Sequence, residues 1–258
     1  MRKFVRYEEE MLSRFRRSKG ALLLFDFDGT ISPIVGHPDK AKIYARWKKI
    51  LEKLVSHKNI SVGIVTGREH EDMIKRLKMK GVIVSSSHGY EIRKGSKVLL
   101  RKGDEYRSTI RRLSKETVEN FGNIKGVFIE TKPYSTALHY RLADSKIHSK
   151  IIKEFSKLAI PFIKADGFEL MKGKKLLEVR PKGHWDKGMA VMWMWKNLYK
   201  GYLPFYFGDD VTDEDAFERL GSKGVSVRIG YKRLSHAKYY VNHIDDCISF
   251  FKNLMEIC

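Results

Sequence analysis

The sequence predicts an α/β protein, a doubly wound parallel-sheet core interrupted by an inserted α+β domain. Three observations carry this. Wholly apolar runs such as "ALLLF" (21–25) and "VGIV" (62–65) have the length of buried strands and are too short for buried helices. Stretches with apolar residues at helical spacing separate such runs near both ends of the chain, as in a parallel sheet. In the middle, strand-like runs follow one another without an intervening helix, which points to an antiparallel sheet with helices on one face.

Taken in order, "ALLLFDF" (21–27) opens the parallel sheet. From Asp39 to about His57, Tyr44, Trp47, Leu51, Leu54 and Val55 recur at helical spacing. "ISVGIV" (60–65) is the second strand, Arg68 to about Lys78 a helix, and "VIVS" (82–85) the third strand. "EIRKGSKVLL" (91–100) reads as a hairpin turning at Lys94-Gly95. A helix over about 104–121 follows, then the paired strands "KGVFIET" and "STALHYRLA". A helix over about 145–158 and the strands "PFIKAD" and "KKLLEVR" complete an insertion spanning roughly 92–180. After Pro181 the alternation resumes with a helix over about 185–199, the strand "LPFYF" (203–207), a helix, the strand "GVSVRIG" and a last helix over 244–256. The core is thus expected to comprise residues 1–91 and 181–258. The Met and Trp residues of "MAVMWMWKNLY" (189–199) are expected to pack a helix onto the sheet rather than to meet a membrane or cofactor.

The chain has 258 residues, enough for one large domain or two modest ones. Its 51 Lys and Arg against 31 Asp and Glu leave a formal charge of +20, which suits anionic partners: a phosphorylated small molecule, nucleic acid or an acidic membrane surface. No apolar run approaches membrane-spanning length, and the charged first twenty residues lack a signal-peptide core, so a cytoplasmic protein without membrane contact is expected. Cys247 and Cys258, late and without metal-like spacing, predict neither disulfide nor zinc. The basic residues are dispersed and form no nucleic-acid-binding signature, so nucleic acid is not the expected partner. The chain is expected to act as a monomer.

Against this basic background, "GDDVTDEDAF" (208–217) sets five carboxylates in ten residues. An acidic helix start accounts for Asp213, Glu214 and Asp215 after Thr212, but not for Asp209 and Asp210 before it. A counterpart, "DFDGT" (26–30), follows the first strand, where Asp26 and Asp28 fall on one side of an extended chain and Gly29 permits a sharp turn. Ligands of parallel sheets gather beyond the carboxyl ends of strands, so the two acidic sites can converge there. Converged carboxylates are costly without a cation, and oxygen donors of this kind suit Mg²⁺. Thr66, directly after a strand, and Lys187, just ahead of a helix, add a hydroxyl donor and a fixed positive charge. Such a set meets the needs of phosphoryl transfer.

"DFDGT", "TGR", Lys187 and "GDDVTDED" resemble the four motifs of the haloacid dehalogenase-like phosphohydrolases. "DFDGTISPIVGHPDKA", "SHGYEI", "ETKPYSTALHYR", "KKLLEVRPKGHWDKGMA" and "FGDDVTDEDAF", in that order between residues 26 and 217, are similar to the trehalose-6-phosphate phosphatase family. The resemblance implies a haloacid dehalogenase-like core with an α/β cap at 92–180 that closes over the sugar. It implies a Mg²⁺-dependent phosphatase with Asp26 as nucleophile, forming an aspartyl-phosphate, and Asp28 as general acid and then base. Thr66 and Lys187 would hold the phosphoryl group. Asp26, the Asp28 carbonyl and Asp209 would bind Mg²⁺, supported by Asp210 and Asp213. Glu130, Lys132, Arg141 and Glu178 would meet sugar hydroxyls, with Arg68 and His88 on the core side. The family commonly has glycine after its "E-x-K", where this chain has Pro133. Sucrose 6-phosphate, glucosylglycerol phosphate and mannosyl-phosphoglycerate are the alternative substrates, and a nucleic-acid-binding protein the alternative class.

Overall fold

A computed structural model describes every residue except Gly36, His37, Asp166, Lys174, Gly183, His184 and Cys258. The chain divides into two compact units, Met1–Arg101 with Trp185–Cys258, and Lys102–His184.

The first unit begins with a two-residue edge strand β1 (Arg2–Lys3) and helix α1 (Glu8–Arg16), which buries Met11, Leu12 and Phe15. Then come β2 (Ala21–Phe25), α2 (Ala45–Ser56), β3 (Ile60–Val65), α3 (His70–Leu77) and β4 (Ile83–Ser86), the expected alternation. β5 (Glu91–Lys94) and β6 (Lys97–Arg101) form the expected hairpin. Residues 92–101 nevertheless do not open the insertion: Ser85 pairs with Ile92, so the hairpin extends the large sheet and the second unit starts at Lys102.

That second unit holds α4 (Arg107–Phe121), β7 (Phe128–Thr131), β8 (Thr136–His139), α5 (His148–Ala165), β9 (Phe168–Gly173) and β10 (Leu176–Pro181). Its strands form an antiparallel sheet in the order β7-β8-β10-β9, and both helices pack on its apolar face through Leu113, Phe155, Leu138 and Leu177. "PFIKAD" is helix, not strand, as far as Ala165. Buried Ile151, Phe155, Ala159 and Phe162 continue one helical face past Pro161, and this packing outweighs the missing proline N–H. Pro133 lies in the tight turn between β7 and β8, where the Lys132 amide donates to the Ser135 carbonyl at 2.9 Å.

The chain then returns to the first unit with α6 (Lys187–Leu198), β11 (Leu203–Gly208), α7 (Glu214–Leu220), β12 (Val225–Ile229), β13 (Tyr239–Val241) and α8 (Ile248–Ile257). The large sheet runs β1-β13-β12-β11-β2-β3-β4-β5-β6, parallel from β1 to β4 and antiparallel beyond. One face packs Trp47, Leu51 and Phe251 against Phe25 and Phe207. The other takes Ala190, Val191 and Met194 of α6, as its Met and Trp pattern predicts. Cys247 is buried, and Cys258 lies outside the described residues. Among the described residues no helix is long and apolar enough to cross a membrane.

Candidate active site

The sheet changes winding direction between β2 and β11, which are neighbours although the chain leaves them toward opposite sheet edges. Ligands bind at such a switch point, beyond the carboxyl ends of the strands. Phe25 pairs with Phe207 on one side and Ile64 on the other, so Asp26, Asp209 and Thr66 leave three adjacent strands at nearly one level.

Asp26 is only 4% exposed, and its Oδ1 accepts from Lys187 Nζ at 2.7 Å. The same ammonium donates to Asp213 Oδ1 at 2.8 Å. Lys187 is held at the first turn of α6, where Asp186 caps the helix by accepting from the Met189 amide at 2.6 Å. Asp213 is fully engaged. Tyr206 donates to its Oδ1 at 2.7 Å, and the amides of Asp209 and Asp210 donate to its Oδ2 at 2.9 Å each. Asp213 therefore anchors the acidic loop, and Gly208 makes room for it, since a Cβ there would lie 2.4 Å from the Asp213 carboxyl carbon. Gly29, with φ +83°, lets the first acidic turn approach the second; its Cβ would sit 2.1 Å from Asp209 Oδ2. Thr30 donates to Asp209 Oδ1 at 3.2 Å. Asp210 is exposed and caps the turn that carries Asp213.

Asp28 is gripped from both sides by Arg68, Nε to Oδ2 and Nη2 to Oδ1, each at 2.7 Å. Arg68 Nη1 is in turn held by Asp72 at 2.9 Å. The Thr66 hydroxyl accepts from the Arg68 amide at 3.1 Å, which leaves its own proton available to another acceptor. His88 sits in a strained turn: Ser87, His88 and Gly89 have φ of 50°, 56° and 104°. The turn is fastened by Ser87 N–H to the Arg68 carbonyl at 2.8 Å and His88 N–H to the Thr66 carbonyl at 2.9 Å. Trp185 Nε1 adds a bond to the Gly89 carbonyl at 2.6 Å. The His88 ring lies over Gly67, where a Cβ would come within 2.5 Å of it.

In the second unit, Glu130 and Glu178 both stand beside Ala137 in the sheet register, in a row on the face away from the helices. Lys132 Nζ lies 3.4 Å from Glu130 and 3.9 Å from Glu178. Ser135 donates to Glu178 at 2.6 Å, and His139 lies 3.2 Å from Glu130. Arg141 falls in the exposed turn after β8, outside this row.

Arg228, Tyr206, Arg68 as a partner of Asp28, and Trp185 complete the local architecture. Arg228 donates to the Asp209 carbonyl, to the Asp210 carbonyl at 3.2 Å and to Glu214 at 3.0 Å, bracing the acidic loop from below. Arg228 is not among the residues the motifs point to; its one signal in the sequence is a cation inside the otherwise uncharged strand "GVSVRIG".

The electrostatics point to a missing positive charge. Burial raises the Asp26 carboxyl well above its ordinary range, and the Lys187 ammonium opposes this without cancelling it. Asp209 is pushed up to about 6, first by burial and then by the charge of Asp213. Burial works against the charged form of Lys187, but Asp26 and Asp213 keep its ammonium well above ordinary lysine. Asp213 stays below the ordinary range because Lys187 outweighs its burial. Tyr206, buried beside Asp213, is held neutral as a donor. Asp26, Asp209 and Asp213 bring oxygens within 4.8 Å of one another. Three carboxylates around one ammonium leave two negative charges uncompensated, and hard oxygen donors with that deficit fit a divalent cation such as Mg²⁺.

An aspartate-rich switch point on a parallel sheet with an α+β insertion defines a haloacid dehalogenase-like hydrolase fold. The chain superposes on a haloacid dehalogenase-like hydrolase from Bacteroides thetaiotaomicron with a TM-score of 0.63 at 16% identity, covering 93% of this chain and 100% of that one. Within that class, the chain belongs to the trehalose-phosphatase family, which it matches over residues 24–244, and it is a phosphatase. It is 30% identical over 267 residues to "Probable trehalose-phosphate phosphatase E" of Arabidopsis thaliana, covering 96% of this chain and 73% of that one. It is similar to the solved trehalose-6-phosphate phosphatase of Aspergillus fumigatus, with a TM-score of 0.70 and 26% identity, covering 97% of this chain and 98% of that one.

Proposed function

We propose that the protein hydrolyses trehalose 6-phosphate to trehalose and phosphate, with Mg²⁺ bound and through an aspartyl-phosphate on Asp26. The observation that carries this reading is the buried Asp26–Lys187–Asp213 triad at the switch point, with Asp209 beside it. Lys187 occupies Asp26 Oδ1, so Oδ2 is the oxygen presented to phosphorus. As the Oδ2–phosphorus bond forms and the phosphorus–sugar oxygen bond breaks, Asp28 gives a proton to the leaving sugar oxygen. Asp28 then takes a proton from water, which attacks phosphorus and frees Asp26. Arg68 fixes the direction of the Asp28 carboxyl, and the Thr66 hydroxyl and Lys187 hold phosphoryl oxygens. Asp26 and Asp209 would bind Mg²⁺ directly with the Asp28 carbonyl, while Asp213 and Asp210 hold the loop. When bound, the cation neutralises charge on the phosphoryl oxygens. The row of Glu130, Lys132 and Glu178, with Arg141, is assigned to sugar hydroxyls.

Phosphate release from trehalose 6-phosphate, sucrose 6-phosphate and glucose 6-phosphate, each with Mg²⁺ or EDTA, tests this. Release confined to trehalose 6-phosphate and lost in EDTA is expected. Glu130→Ala or Arg141→Ala should raise KM for the disaccharide and spare p-nitrophenyl phosphate; equal losses on both would make these residues structural.

Proton competition gives a second expectation. Asp209 must lose its proton to bind a cation, and in the metal-free protein it keeps that proton up to about pH 6. Asp26, whose carboxyl burial also raises, must be ionised too, so Mg²⁺ affinity should fall as the pH drops through about 6, by roughly tenfold per unit or more. Mg²⁺ titrations followed by melting temperature from pH 5 to 8 read this directly, and an affinity flat through that range would contradict it.

A further inference from the structure

The catalytic reading uses one small dianion and leaves most of the +20 charge without a task. The fold gathers part of it. Strands β4, β3, β2, β11 and β12 are consecutive and parallel, so the five loops leading into them share one sheet edge, opposite the acidic site. Backbone bonds from Lys19 to Gly201, from Ala21 to Asn59 and from Leu203 to Gly20 tie neighbouring loops together. Those loops are 17–20, 57–59, 78–82, 199–202 and 221–224, and none contains an acidic residue. Arg17, Lys19, Lys58, Lys78, Lys80, Lys200 and Lys223 are all exposed along them. Among the described residues, none of the seven takes part in an ion pair. Charge that is dispersed along the sequence is therefore concentrated in space.

Helix ends give a simpler reason for cations here. α1, α2, α3, α6 and α7 all finish at this edge, each with about half a negative charge. Five such ends supply roughly −2.5 against seven full positive charges, so the edge keeps an excess of about +4.5.

We propose that this edge is a binding surface for the phosphate backbone of nucleic acid, read without sequence preference. Five adjacent strands span about 19 Å at ordinary sheet spacing, so seven cations project roughly every 3 Å along the edge. That density is close to the ~3.4 Å charge spacing along one strand of a duplex. The loops offer hydrated lysines, serine and asparagine, and no exposed aliphatic or aromatic side chain that could insert into a bilayer, which favours nucleic acid over an anionic membrane.

The test is fluorescence anisotropy of a labelled 20-base-pair duplex against the full chain from 50 to 200 mM salt. Full engagement of seven cations predicts a slope of log K on log salt near about −6. The triple variant Lys19→Glu/Lys80→Glu/Lys200→Glu should bring the slope to about −4 or shallower and weaken binding at least tenfold, with melting temperature and phosphatase rate unchanged. Lys146→Glu/Lys150→Glu/Lys153→Glu, with the same charge change in the second unit, should keep wild-type binding. Equal losses in the two variants would reduce the effect to diffuse net charge and overturn the proposal. So would no binding by wild type at 50 mM salt, or binding to vesicles of phosphatidylserine and phosphatidylcholine with none to the duplex.

Discussion

Replacing Asp26 by Asn is expected to reduce phosphate release by about four orders of magnitude or more while leaving the fold intact. Asn keeps the shape and can still meet Lys187, but it has no anionic oxygen to attack phosphorus. The same change should raise the melting temperature of the metal-free protein at neutral pH. A carboxyl whose folded pKa is raised costs stability above that pKa and nothing below its unfolded pKa. The gain should thus vanish in acid, where both states are protonated. Scanning calorimetry in EDTA at pH 7 and at about pH 3, below the ordinary aspartate pKa, reads the difference. A variant that melts lower at pH 7 would mean that the Lys187 pairing outweighs the crowding of carboxylates.

Lys187→Met should have the largest effect on stability. Lys187 is buried between Asp26 and Asp213, and its removal leaves both carboxylates without their cation. Breaking a buried pair by deleting one partner costs about 3–5 kcal/mol. For a chain of this size that lowers the melting temperature by roughly 6–20 °C, and turnover should be lost as well. Adding Asp213→Asn to Lys187→Met should recover part of the stability and none of the activity, because it relieves charge but restores no cation beside Asp26. Activity recovered together with stability would assign Lys187 to the fold alone.

The sequence exposed the core of this site more fully than its support. Asp26, Asp28, Thr66 and Asp209 are each read from a strand-end position, and strand ends are legible because buried parallel strands are short apolar runs. Their convergence depends on β2 and β11 being neighbours, which the alternation implies but does not order. The carboxylate-binding role of Arg68 was not legible. The "TGR" spacing places it near the phosphoryl site, while its grip on Asp28 comes from a side chain reaching back across forty positions. Arg228 and Tyr206 were hidden for a related reason, since each reads as an ordinary strand residue until its partner is folded beneath it. Helix α1 had a usable signal in Met11, Leu12 and Phe15, masked by the charges around them. β1 and β13 have two and three residues, too few for any period to show. Pro161 misled locally, because proline argues against a helix whose packed face in fact continues through it.

The central claim is that phosphorus is transferred to Asp26. Rapid acid quench after mixing the protein with Mg²⁺ and trehalose 6-[³²P]phosphate tests it most directly. The account predicts transient label on the protein, released by hydroxylamine as an acyl phosphate is, and absent from Asp26→Asn. Phosphate appearing at the full rate with no labelled protein at any time would contradict it.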